Sequence, residues 1–124
     1  MFELTINNTV YQFNFGFGFL RDINKTYKSV DEKTKQEREL GLQYNIASII
    51  DGDVEAIVTI LDIANKGCDP RITRQDIEKY IEDENTNIDN LFDTVMDFLS
   101  KANCTKKEVQ KFMENLEELK KNQN

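Results

Sequence analysis

From residue 40 to residue 119, apolar side chains recur every three or four positions in stripes separated by short polar breaks, a pattern that fits helices packed on one another. Leu40 to Ile50 is apolar nearly all round and reads as a central helix that stops at Asp51-Gly52. Asp53 has the character of an N-cap, with Glu55 in the first turn favouring the helix dipole. Val54, Ile57, Val58, Leu61 and Ala64 follow as an i, i+3, i+4, i+7 stripe, and Gly67 is placed to close that helix. Thr73, three residues before Asp76, predicts the start of another helix with Ile77, Tyr80 and Ile81 inward. Ile88, Leu91, Phe92, Val95, Leu99 and Ala102 form the next stripe. Thr105-Lys106-Lys107-Glu108 has the form of a capping box, opening a last helix with Val109, Phe112, Met113, Leu116 and Leu119 on one side.

The first 15 residues have a different period. With Asn7-Asn8 as a two-residue turn, Ile6 faces Thr9, Leu4 faces Tyr11 and Phe2 faces Phe13. That register gathers Phe2, Leu4, Ile6, Tyr11 and Phe13 on one face, and a slip of one residue would scatter them. Gly16 and Gly18 break the strand, and the aromatics at 11, 13, 15, 17 and 19 are expected in the core. A nucleic-acid stacking platform would need cations among them, and Arg21 is the sole one before residue 25. Leu20, Ile23, Tyr27 and Val30 then fall at helical spacing. The expected fold is mainly α (α+β): a hairpin and about six helices in a single compact helical domain over 1–124. Its parts are a hairpin at 1–15, a helix at 17–30, a charged loop at 31–39, a helical bundle at 40–119 and a frayed tail at 120–124.

Composition narrows the functions. The 124 residues carry a net charge of −7, which sets binding to phosphate backbones aside. The chain has no histidine, so Ser-His and Cys-His nucleophile pairs and His-containing zinc sites are impossible. No Gly-rich phosphate loop is present. Cys68 and Cys104 read as reduced cytosolic thiols, with a disulfide as the less favoured alternative. No signal-peptide pattern is seen, and no apolar run nears the length needed to cross a bilayer, so neither secretion nor membrane insertion is expected. No catalytic residue, metal site or cofactor is expected, and the chain reads as a binding protein rather than an enzyme.

Two features offer themselves to a partner. Asp89, Asp93 and Asp97 recur at every fourth position and so share one helix face, as plain solvated surface or as contact for a basic partner. The helices at 53–66 and 105–119 carry more apolar surface than an edge helix of a small domain hides. The last of them either packs back on its own domain or presents Val109, Phe112, Met113 and Leu116 to a partner.

Three segments in series carry a family resemblance: FELTINNTVYQFNFGFGFLRDINKTY at 2–27, GLQYNIASIIDGDVEAIVTILDIANKG at 41–67, and PRITRQDIEKYIEDE with the stretch to Lys107 at 70–107. Together they resemble tail assembly chaperones of long-tailed siphophages infecting Gram-positive bacteria. The resemblance implies a non-catalytic, multi-copy protein of the host cytoplasm, absent from the mature virion. It would bind the long helical tape measure protein and hold it soluble while tail tube subunits polymerise. It further implies self-association, and recruitment of tail tube protein by a longer frameshifted form. A small phage or bacterial helical adaptor or regulator is the alternative reading.

Overall fold

The computed structural model describes residues 2–122. Strands β1 (Phe2–Ile6) and β2 (Thr9–Phe13) pair antiparallel in the expected register, with Phe2 opposite Phe13 and Ile6 opposite Thr9. Asn7 and Asn8 both take positive φ, 52° and 63°, as a type I′ turn requires. Phe2, Ile6 and Phe13 are buried on the inner face, and Glu3, Thr5 and Gln12 are exposed on the outer. The hairpin docks through Phe2, whose ring stacks on Phe98 at 4.6 Å.

Helix α1 (Phe17–Asn24) follows, and here the structure departs from the helix expected over 17–30. The chain leaves the helix after Asn24 and forms a second antiparallel hairpin from β3 (Lys28–Val30) and β4 (Glu37–Glu39). The charged stretch at 31–39 is therefore the turn and return strand of that hairpin rather than a plain loop. Its physical cause is local. Asp31 accepts hydrogen bonds from the backbone N–H groups of Lys33 (2.8 Å) and Thr34 (3.1 Å), an Asx turn that reverses the chain. Opposite charges face across the strands, with Lys28 Nζ 3.5 Å from Glu37 Oε1. Tyr27 and Val30 are exposed instead of lining a helix, and Tyr27 stacks on Tyr44 at 4.5 Å.

The remaining helices are α2 (Gly41–Ile50), α3 (Val54–Asn65), α4 (Arg74–Glu82), α5 (Ile88–Lys101) and α6 (Lys106–Asn122). The hairpin followed by six helices is an α+β architecture, as expected. The centre, however, is α3 and not the helix at 40–50. Ala56, Ile57, Val58, Ile60, Leu61, Ala64 and Asn65 of α3 are all buried, whereas α2 exposes Tyr44 and Ile50. Apart from exposed Val54 at its start, the apolar surplus of α3 is thus consumed by packing on several neighbours at once. One contiguous core joins it to the first hairpin and to all five other helices.

Helix ends follow sequence chemistry with one exception. The Asp53 carboxylate accepts from Glu55 N–H, and the Thr73 hydroxyl accepts from Asp76 N–H. Gly67 takes φ +85° past the end of α3. Thr105 is the exception. It is fully buried, and its hydroxyl donates to the Leu99 carbonyl oxygen in the last turn of α5, with the carbonyl oxygen of the C-cap residue Ala102 3.4 Å away. It ties α6 to α5 rather than serving as the capping-box residue. The terminal helix also outlasts its expected limit. Residues 120–122, expected to be frayed, continue α6, and residues 123–124 of that tail lie outside the described residues.

A candidate partner-binding groove between the last two helices

Helix α5 presents its apolar stripe inward and its polar face outward. Leu91, Val95 and Leu99 are buried, while Asp89, Asp93 and Asp97 are exposed. Helix α6 turns back beside it through the short connection anchored by Thr105. Only its first turns are covered. Val109 is its single buried residue, and Phe112 is half-buried against the core. Beyond this point Leu116 is half-buried, while Met113 and Leu119 are exposed at 46% and 58%. The start of the last helix therefore packs back on the domain, and its later turns keep apolar surface open.

The two helices enclose an open groove of about 580 Å³. Asp93, Met96, Asp97 and Ser100 form the α5 wall. Val109, Gln110 and Met113 continue onto α6, where Glu114 and Glu117 form the opposite rim. The floor is aliphatic and rich in methionine, whose flexible thioether adapts to differently shaped partners. The rims are carboxylates on both sides. Lys101 Nζ lies 2.9 Å from Asp97 Oδ2 and relieves the end of the aspartate row. Asp93, Glu114 and Glu117 have no ion-pair partner among the described residues.

Of the residues singled out from sequence, the structure brings Asp93, Asp97, Val109 and Met113 together in this groove. Asp89 lies outside it, in the first turn of α5, where a carboxylate favours the helix dipole. Phe112 and Leu116 are not among the residues lining it. The alternative contact helix at 53–66 is withdrawn, because α3 is buried at the centre of the fold. Sequence reasoning missed Met96, Gln110, Glu114 and Glu117. The last three share the α6 face of Met113 by helical spacing, a signal that was present but was read for apolar residues alone.

Nothing else in the described residues has the form of a reactive centre. No group of three or more His, Cys, Asp or Glu residues there is placed to hold a metal ion. Cys68 and Cys104 are free thiols on separate loops. No helix among the described residues is long and apolar enough to cross a membrane.

A family model described as phage tail assembly chaperone protein, TAC, matches residues 3–114. This chain belongs to the phage tail assembly chaperone family. The match spans the first hairpin, α1 to α5 and the half of α6 that carries Val109 and Met113, so the groove lies almost wholly within the family's own region. The chaperone's general role is thereby in phage tail assembly, with phage tail proteins as its partners. Neither curated proteins nor solved structures yield a match.

Proposed function

We propose that this chaperone binds the tape measure protein of its phage in the host cytoplasm and keeps it soluble until tail tube subunits polymerise around it. It does so without catalysis, in many copies along the client, and is shed before the virion is complete. A longer frameshifted form recruits the tail tube protein. The observation that carries this reading is the groove between α5 and α6, where half-buried Met96 and exposed Met113 stay open above buried Val109 beside a half-free helix. A long helical client exposes apolar faces that aggregate unless covered, and such a groove covers them. The net charge of −7 keeps the loaded chaperone soluble.

The test is coexpression of the 124-residue chain with the tape measure protein of the same phage. Recovery of the client in the soluble fraction, copurifying with the chaperone, is the expected result. A client that aggregates equally with and without a folded chaperone, and with the longer form as well, would favour the adaptor reading.

A further inference from the structure

The charge of the groove specifies more than an apolar occupant. We infer that the α5/α6 groove takes an amphipathic helix whose aliphatic stripe is flanked on both sides by lysine or arginine. This inference rests on the chaperone reading only for the identity of the client; the chemistry of the occupant follows from the groove itself.

Carboxylates stand on both rims, Asp93 and Asp97 on α5, Glu114 and Glu117 on α6, and no cation lines the groove between them. In the free protein this arrangement carries mutual repulsion that a single salt bridge from Lys101 relieves at one end. A helix laid along the groove puts its apolar stripe on Met96, Val109 and Met113 and its two flanks against the two rims. A stripe flanked by cations satisfies both rims, a neutral one satisfies neither, and an acidic one is repelled. The groove thus selects a helix with cationic flanks. The exposed face of α6 carries Lys111, Lys120 and Lys121 beside Glu114, Glu117 and Glu118, so a second copy is the competing occupant, and a free chain that dimerises and turns monomeric on Met113→Glu would overturn the inference.

The probes are three synthetic helical peptides with one leucine stripe and flanks of lysine, glutamine or glutamate, titrated against the full chain by fluorescence anisotropy. The lysine-flanked peptide is expected to bind about tenfold tighter than the glutamine one at low salt, with the gap closing near 0.5 M salt. The variant Asp93→Asn/Asp97→Asn/Glu114→Gln/Glu117→Gln should lose that preference and bind the lysine- and glutamine-flanked peptides alike. All four positions are outward-facing carboxylates, so circular dichroism should show the native helix content. A second variant, Met113→Glu, should weaken both peptides. Equal binding of the lysine and glutamine peptides, or a preference that survives neutralisation, would overturn the inference. The two readings separate by client. If Met113→Glu, which closes the floor, rescues the tape measure protein as well as the native chain does, the groove is not the contact but the chaperone reading stands. If the native chain prefers the lysine peptide but rescues no tape measure protein, the groove stands and the client is another basic helix.

Discussion

Gly41 approaches Ile23 so closely that a Cβ on Gly41 would lie 1.7 Å from the Ile23 carbonyl oxygen. The end of α1 and the start of α2 are held together there by a small polar knot. Asn24 Oδ1 accepts from Leu42 N–H, Thr26 donates to Ile23 O, and Asn45 Nδ2 donates to Gly41 O at 2.7 Å. The offending atom is backbone, so no side chain can move aside. Gly41→Ala should destabilise the protein by about 3 kcal/mol or more. Gly18→Ala is the matched control, since a Cβ there meets nothing within 4 Å inside α1. It should stabilise by about 0.5–1 kcal/mol. Urea unfolding of the two variants checks both signs.

Asn65 joins three parts of the chain from a fully buried position. Its amide donates to Gln12 O and Pro70 O, and its oxygen accepts from Ile72 N–H at 2.7 Å and from Arg71 Nη1. Asn65→Ala would strand these groups away from water, at a cost of about 3 kcal/mol. Hydrogen exchange should show the Ile72 amide losing protection first.

Thr105 allows a direct contest between two chemistries. If it capped α6 from the surface, Asp would replace it well. Buried and donating to Leu99 O, it cannot tolerate a carboxylate. Thr105→Ser should be mild, at about 1 kcal/mol, and Thr105→Asp should be far worse. Thermal melts of the pair decide, and near-native stability for the Asp variant would contradict the buried-donor geometry.

Asp31 supplies a pH-dependent element in the second hairpin. Hydrogen bonds from the backbone N–H groups of Thr34 and Lys33 favour its charged form and hold its carboxyl below the ordinary aspartate value. A lowered folded value means that the stabilisation is present above the unfolded value and is lost as pH falls through the folded one. The Lys33 and Thr34 amides should therefore stay ordered at neutral pH and shift together in NMR spectra as Asp31 is protonated in acid. Asp31→Asn should remove that acid transition.

Much of this fold was legible because its signals are local and periodic. The Asn7-Asn8 turn, the Asp53 and Thr73 caps and the stripe of α3 each follow from a few neighbouring residues. What escaped is what depends on distant partners. Tyr27 and Val30 keep helical spacing, yet strand pairing with residues 37–39 and the Asp31 turn override it. The stripe of α3 resembled a surplus because sequence shows how apolar a helix is but not how many neighbours surround it. Thr105 had the right spacing for a cap and the wrong burial. At the groove, Asp93, Asp97, Val109 and Met113 were legible one helix at a time. Their meeting, and the carboxylates Glu114 and Glu117 opposite, required the turn between α5 and α6.

The most direct test of the account is hydrogen exchange on the chaperone alone and coexpressed with the tape measure protein of the same phage. New protection should concentrate on the open turns of α6 around Gln110 to Glu117 and on α5 around Met96 to Ser100, with α3 unchanged. Protection confined to the first hairpin or the β3–β4 hairpin, with α6 exchanging as in the free protein, would contradict it.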